Sequence, residues 1–300
     1  MKVLFAVDGS PSAHAAIRQV GQFLAPTDVA AIYFAPPEVV VRQTTVANQF
    51  QDEAISSIVG RVLDDAVRYL PDPQAAQATT ITTKHAPREG ILKAAHDWGA
   101  DLIVVGARGL SALDQVILGG VSRGVAQQAD RPVLVARPHA DHRTDRTFRV
   151  LVAFDGSPSS GAALTAAQRL TYPPGTQIIA LTVVDAPPSE LPAWIHTRPS
   201  AATDAMIEQW RHETERDKLN AQTRLHELLQ MAKKPFSEAE TLIAEGHAAE
   251  QILKVVDARD VDLVVIGSGG KGALQRALIG STSDKILLHA PCSVLIARSL

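Results

Sequence analysis

Two glycine-rich segments of the chain have a composition and spacing that suit the binding of phosphate groups. Each has a glycine, a second glycine three residues later, and a third after nine further residues: Gly106, Gly109 and Gly119 followed by Gly120, and Gly267, Gly270 and Gly280 followed by Ser281. Because glycine has no Cβ, the backbone can approach an anion closely, and free N–H groups can point at it. Each segment directly follows an apolar run, which predicts a buried strand leading into a helix N-terminus. The chemistry favoured by this arrangement is the binding of a phosphorylated ligand.

A second pair of matching segments shows that the chain is duplicated. Residues 3–12 read Val-Leu-Phe-Ala-Val-Asp-Gly-Ser-Pro-Ser, and residues 150–159 read Val-Leu-Val-Ala-Phe-Asp-Gly-Ser-Pro-Ser, an offset of 147. The glycine segments repeat at an offset of 161. A period of this length indicates two domains rather than a solenoid. We predict domains at residues 1–140 and 147–300, with a polar linker at about residues 138–147.

The hydrophobic pattern predicts five strands alternating with helices in each half. The expected strands are residues 3–7, 29–35, 79–84, 102–105 and 133–136, then 149–154, 177–184, 239–244, 262–266 and 294–297. Helices are expected at residues 12–24, about 50–70, 88–98 and 112–128, and a long charged one at 203–232. Strands without polar alternation are typical of parallel sheets covered by helices on both faces. The predicted fold class is therefore α/β, with two tandem five-stranded parallel-sheet domains.

The composition excludes several classes of protein. The chain has 29 Lys and Arg against 32 Asp and Glu, a net charge of −3, so it lacks the basic excess of a nucleic-acid-binding protein. Its one cysteine, Cys292, provides no disulfide framework and indicates a reducing compartment. No signal-peptide layout is visible, and no apolar run approaches the roughly 18 residues of a membrane span. We expect a cytoplasmic protein with no nucleic-acid or membrane partner.

The Val-Asp-Gly-Ser start and the glycine spacing resemble the universal stress protein family, in its tandem two-domain form, over nearly the whole chain. The resemblance implies sheet order 3-2-1-4-5 in each domain, a pseudo-twofold pairing of the domains and an adenine-nucleotide site. In ATP-binding members, the strand-1 aspartate and the tip of strand 2 hold the adenosine end, and the glycine loop holds the ribose and phosphates. ATP is the expected ligand, and any Mg²⁺ would be carried by its phosphates, since the sequence shows no all-protein metal cage.

Carried over residue by residue, the resemblance gives one set of binding residues in each half. The second-half set is Ala153, Asp155, Val183, Gly267, Gly270, Gly280, Ser281 and Thr282. The first-half set is Ala6, Asp8, Phe34, Gly106, Gly109, Gly119, Gly120, Val121 and Ser122. The first half departs from the pattern twice, because Gly120 stands in place of a hydroxyl residue and Phe34 in place of a smaller side chain. We therefore expect the second half to bind nucleotide at least as tightly as the first.

Simpler interpretations of the same residues stay open. Asp8 and Asp155 fit a turn as well as a binding site, and Ser281 fits a helix cap. Residues 267–272 match the dinucleotide fingerprint GxGxxG literally, but they follow the fourth strand and have no acidic residue about 20 positions later.

The leading functional hypothesis is a regulatory or sensing module that binds ATP, with no catalytic residue nominated. The alternatives are a slow ATPase or nucleotidyl-transfer enzyme on the same fold, and a dimerising scaffold that binds no nucleotide. The fifth strands are short, apolar and at a sheet edge in the order implied by the resemblance, so we predict that they pair with each other. An adenine nucleotide is the expected partner, and a second copy of the chain is considered as well.

Overall fold

The computed structural model describes residues 1–35, 49–83, 85–108, 118–137, 147–185, 201–269 and 279–298, with backbone alone for 49–55 and 201–202. The N-terminal half contains β1 (Lys2–Val7), α1 (Pro11–Gly21), β2 (Val29–Phe34), α2 (Gln49–Val67), α3 (Asp72–Ala75), β3 (Thr79–Thr82), α4 (Pro87–Trp98), β4 (Leu102–Gly106), α5 (Gly120–Gln128) and β5 (Val133–Ala136).

The C-terminal half repeats this order. It contains β6 (Arg149–Ala153), α6 (Pro158–Ala167), β7 (Gln177–Val184), α7 (Ala201–Gln230), β8 (Glu240–Glu245), α8 (Ala248–Ala258), β9 (Leu263–Gly267), α9 (Ser281–His289) and β10 (Ser293–Ala297), with a short 3₁₀ helix, Phe236–Glu238, before β8. All ten predicted strands are confirmed, with ends within two residues of the prediction. The predicted domain boundaries fall at or next to residues 138–146, which lie outside the described residues, so they stay a prediction.

The strands form one ten-stranded sheet in the order β3-β2-β1-β4-β5-β10-β9-β6-β7-β8. Each half is parallel and has the order 3-2-1-4-5, as the resemblance implied. The halves join where β5 and β10 pair antiparallel, with Leu134 opposite Leu295. The prediction that the fifth strands meet is therefore confirmed. This pairing covers two short apolar edges that would otherwise be exposed.

Helices cover both faces of the sheet because successive strand residues point to opposite sides. On one face, buried residues of β1 and β6 share a hydrophobic cluster with α1, α2 and α6, including Phe5, Ile17, Leu63, Val152 and Leu164. On the other face, the cluster includes residues from α4, α5, α8 and α9, among them Ile91, Val125, Ile252 and Ile286. Both clusters continue from one half to the other. No helix among the described residues is long and apolar enough to cross a membrane.

Candidate functional site

A cavity of about 350 Å³ lies at the carboxyl ends of the neighbouring strands β6 and β9 in the C-terminal half. Its lining consists of Ala153, Asp155, Ser160, Ala248, Ile266, Gly267, Gly269, Gly280, Ser281, Thr282 and Ser283. In open parallel sheets, ligands bind in this position, beyond the strand ends at the point where the winding direction reverses. The volume is within the roughly 300–1,000 Å³ range of small-molecule sites.

The cavity brings together six of the eight residues predicted for the second half: Ala153, Asp155, Gly267, Gly280, Ser281 and Thr282. Val183 lies on the same face of the sheet but is not in the lining, and Gly270 is outside the described residues. The sequence reasoning missed Ser160, Ser283, Gly269, Ala248 and Ile266. Ser160 and Ser283 each lie within three residues of a predicted motif, so a search of the first helical turn would have found them.

Asp155 has a structural role as well as a place in the lining. Its Oδ1 accepts a 2.9 Å hydrogen bond from the Ser157 N–H, which closes a turn. Gly156, inside that turn, has φ of 80°, a conformation that favours glycine. Ser157 then caps α6 by accepting from the Ser160 N–H at 3.2 Å. The interpretation of Asp155 as a turn residue is therefore correct for one of its carboxylate oxygens. The turn also holds the carboxylate in the lining of the cavity.

Gly267 is required by the packing of α6 against the end of β9. A Cβ on Gly267 would lie 2.3 Å from Ser159 Oγ and 2.6 Å from the Ser159 carbonyl carbon. The same Ser159 hydroxyl accepts a 3.0 Å hydrogen bond from the Gly269 N–H. Close approach of α6 to the glycine loop thus holds the first part of the loop in place, independently of any ligand.

The N-terminus of α9 forms the polar wall of the cavity. The Ser283 hydroxyl donates a 2.6 Å hydrogen bond to the Gly267 carbonyl, which joins α9 to the end of β9. Gly280, the N-cap residue, provides no side-chain cap. The first turn of α9, with Ser281 and Thr282, therefore lines the cavity, and the first N–H groups of a helix have no partner within the helix. Such a helix end attracts anions through its aligned N–H groups and macrodipole.

The N-terminal half keeps the same scaffold. Asp8 Oδ1 accepts from the Ser10 N–H at 3.0 Å, and the Ser122 hydroxyl donates to the Gly106 carbonyl at 2.6 Å. Ser122 is buried and corresponds to Ser283, so its hydroxyl joins α5 to β4. Ala6 and Gly119 occupy the positions of Ala153 and Gly280, while Gly109 lies outside the described residues.

The polar lining is what differs between the halves. Ser281 and Thr282 correspond to Gly120 and Val121, and Ser160 corresponds to Ala13, so three hydroxyls are lost in the first half. A Cβ on Gly120 would meet nothing within 4 Å, so packing does not require a glycine there.

The alignment of Phe34 with Val183 is wrong. Ala6 lies opposite Tyr33 and the equivalent Ala153 lies opposite Leu181, which makes Ala35, rather than Phe34, the counterpart of Val183. Phe34 belongs to the cluster on the α1 side of the sheet, whereas Ala35 and Val183 belong to the opposite cluster. A shift of one residue along a strand reverses the face, so Phe34 does not narrow the site.

No group of three or more His, Cys, Asp or Glu side chains among the described residues is placed to hold a metal ion. Among the described lining residues, Asp155 is also the one charged side chain. The arrangement can therefore bind an anionic ligand through hydroxyls and backbone N–H groups, and the same lining contains one carboxylate.

Comparisons with known proteins agree with this fold. A family model described as the universal stress protein family matches residues 1–137 and 147–298. A universal stress protein of Mycolicibacterium smegmatis is 27% identical over 199 residues, covering 66% of this chain and 62% of the relative. The universal stress protein YxiE of Bacillus subtilis is 31% identical over 157 residues, covering 50% of this chain and 98% of the relative.

Solved structures give the same result over the full length. A universal stress protein from Archaeoglobus fulgidus has a TM-score of 0.59 at 19% identity, covering 99% of this chain and 96% of that chain. A structure of a functionally unknown protein, PA1789 from Pseudomonas aeruginosa, has a TM-score of 0.56 at 13% identity, covering 99% and 92%. At these identities the likeness supports the fold alone.

Proposed function

This chain belongs to the universal stress protein family, and from that membership we propose that its C-terminal domain binds an adenine nucleotide, ATP foremost, as a regulatory or sensing module. The cavity at the ends of β6 and β9 is the observation that carries the proposal. It combines a fixed carboxylate, Asp155, with the hydroxyl-bearing N-terminus of α9. A nucleotide has the matching polarity, with hydrogen-bond donors at its nucleoside end and anionic phosphates at the other.

The C-terminal domain is the better of the two candidates because of its hydroxyls. Ser281 and Thr282 add two hydroxyl donors that the N-terminal domain lacks at Gly120 and Val121. Ser160, which stands in place of Ala13, adds a hydroxyl oxygen, but its O–H already donates to the Ser157 carbonyl at 2.8 Å. A hydrogen bond to a charged group contributes about 1.5–3 kcal/mol, so losing even one of them corresponds to roughly a tenfold loss of affinity. We propose one principal nucleotide site in each chain.

Mg²⁺ is proposed to accompany the phosphates. The described lining has one carboxylate and no basic side chain, so it offers little neutralisation for a triphosphate. Mg²⁺ binds through substrate phosphates and water more readily than in all-protein cages.

Sensing rather than catalysis is proposed because Asp155 is the one described lining side chain able to act as a general base, and it lies at the end proposed for adenosine. A turnover measurement separates this proposal from a slow ATPase or nucleotidyl-transfer enzyme.

The cytoplasm is the proposed location, since the buried Cys292 is a free thiol. A second copy of the chain is not proposed to pair at the fifth strands, because β5 and β10 already pair with each other there.

The test is isothermal titration of the full chain with Mg²⁺–ATP, comparing Asp155→Ala with the matched Asp8→Ala. Both substitutions remove the same turn hydrogen bond, 2.9 Å in one half and 3.0 Å in the other. Loss of that hydrogen bond should cost each variant about 1 kcal/mol of stability. Asp155→Ala alone should lose nucleotide affinity, by about tenfold or more.

Two results would contradict the proposal. One is a wild-type chain that binds no adenine nucleotide, which would favour the scaffold hypothesis. The other is normal ATP binding by Asp155→Ala together with a lowered melting temperature, which would make Asp155 a turn residue only.

A further inference from the structure

An ion pair between the two domains lies beside the candidate site. Asp284 follows Ser283 directly and is the fourth residue of α9. Its Oδ2 is 2.7 Å from Arg123 Nη2, and its Oδ1 accepts hydrogen bonds from Arg123 Nε at 3.3 Å and from Gln127 Nε2 at 3.0 Å. Arg123 and Gln127 belong to α5 of the N-terminal domain. A first-turn residue of the site helix is thus held by the other domain.

The two domains repeat the same fold, but the residues at the equivalent positions 123 and 284 differ. Position 123 in α5 corresponds to position 284 in α9, at the same offset of 161 as the glycine segments. Identical residues there would bring two like charges together across the pseudo-twofold axis. This chain has arginine in one domain and aspartate in the other, and the side chains are partly buried, 41% and 23% exposed.

The position of Asp284 has an electrostatic consequence for an anion. A carboxylate in the first turn interacts favourably with the helix dipole, but it competes with any phosphate bound at the same helix end. A planar guanidinium that binds both carboxylate oxygens cancels this charge in a fixed geometry. Without Arg123, a bound phosphate would face an uncompensated negative charge within the same helical turn or the next.

We infer that Arg123 of the N-terminal domain is a positioning residue for the nucleotide site of the C-terminal domain, where it neutralises and holds Asp284 beside the phosphate-binding end of α9. The inference rests on the proposed function. It makes the site dependent on both domains, so that the N-terminal domain supports binding in the other half.

The experiment compares Mg²⁺–ATP affinity of the full chain with that of Arg123→Gln, Asp284→Asn and the double variant. Arg123→Gln should weaken binding by about threefold or more at low ionic strength. Asp284→Asn should bind as tightly as wild type or more tightly, and the double variant should behave like Asp284→Asn. At about 1 M salt, where the Debye length is about 3 Å, the Arg123→Gln effect should shrink.

Weakened binding by Arg123→Gln without weakened binding by Asp284→Asn separates this inference from a purely structural role, which would make both single variants weaken binding together. Arg123→Lys is the conservative variant. It keeps the positive charge but lacks the planar guanidinium, so it should give an affinity between those of wild type and Arg123→Gln. If Arg123→Gln and Asp284→Asn both weakened binding, or if Arg123→Gln left binding unchanged, the inference would be overturned. The proposed function would stand in either case, because the wild-type chain would still bind Mg²⁺–ATP. Absence of wild-type binding would overturn both.

Discussion

The guanidinium of Arg137 in the N-terminal domain donates a 2.6 Å hydrogen bond to the carbonyl of Leu287 at the end of α9 in the C-terminal domain. The reverse contact is present as well, because Arg298 donates to the Gln127 carbonyl at 2.5 Å and to the Ala126 carbonyl at 3.3 Å. Each arginine directly follows a fifth strand, is buried, and reaches the last turn of the partner domain's helix. Burial lowers the pKa of both guanidinium groups. The two domains are therefore joined by the same polar contact made twice.

Arg298→Met should destabilise the protein by about 2–3 kcal/mol, because it leaves buried helix carbonyls without their donor. The measurement is the free energy of unfolding from chemical denaturation. Arg259→Met is the control: its pair with Glu240 is about half exposed, so its loss should change stability by less than about 1 kcal/mol. Equal effects of the two substitutions would contradict a stabilising role for the domain-joining arginine.

Gly267→Ala should lower the melting temperature markedly, because its Cβ would lie 2.3 Å from Ser159 Oγ and close to backbone atoms. Gly106→Ala should be milder, since the nearest atom there, Ser12 Oγ, is 3.1 Å away. Gly120→Ala should be tolerated, because its Cβ meets nothing within 4 Å. Thermal unfolding of the three variants checks this order, and a Gly267→Ala protein as stable as Gly120→Ala would refute it.

Gly120→Ser combined with Val121→Thr should strengthen nucleotide binding by the N-terminal domain, because it restores two hydroxyls at the N-terminus of α5. The expected result is a second Mg²⁺–ATP bound per chain, or a second site at least several-fold tighter than in wild type. Isothermal titration gives the stoichiometry. Gly120→Ala with Val121→Ala is the control without hydroxyls and should leave the stoichiometry unchanged; an equal gain in both would rule out the hydroxyls as the cause.

Gly90→Ala should destabilise the N-terminal domain through Tyr33. The Tyr33 hydroxyl, bonded to Thr83 Oγ1 at 2.9 Å, would lie 1.9 Å from a Cβ on Gly90. Tyr33→Phe removes that oxygen, so the double variant should be less destabilised than the sum of the single variants. A double-mutant cycle by denaturation measures the coupling, and strict additivity would show that the contact carries no strain.

The Cys292 thiol should be unreactive in the native protein. Burial raises its pKa to about 12, so at pH 8 it is neither exposed nor ionised. A thiol–disulfide reagent should titrate no thiol in native protein and one in denatured protein. The pKa of the Cys292 thiol is higher in the folded than in the unfolded protein. The stability that the protonated thiol contributes is therefore complete below about pH 8.5 and is lost as pH rises towards 12. Rapid native labelling would contradict this burial.

Several elements of the fold could be predicted because local patterns specify them. Apolar runs such as residues 102–105 and 263–266 identify buried strands, and the two Asp-Gly-Ser-Pro segments identify the turn and helix start that follow the first strand. In the N-terminal half, the prediction that Phe34 is the strand-2 residue facing the site was wrong. Strand periodicity shows that alternate residues share a face of the sheet, but the register of β2 against β1 decides which face each set takes. That register became known only from the structure, where Ala6 lies opposite Tyr33.

The sequence by itself determined the duplication, the strand and helix order and the candidate glycine loops, since these depend on residues close together in the chain. Only the tertiary structure decided that Gly267 is required by Ser159, that Ser283 joins α9 to β9, and that Arg123 meets Asp284. Each of these contacts joins residues 16 to 161 positions apart. Such contacts depend on how helices pack against a shared sheet, and no local propensity or periodicity specifies that packing.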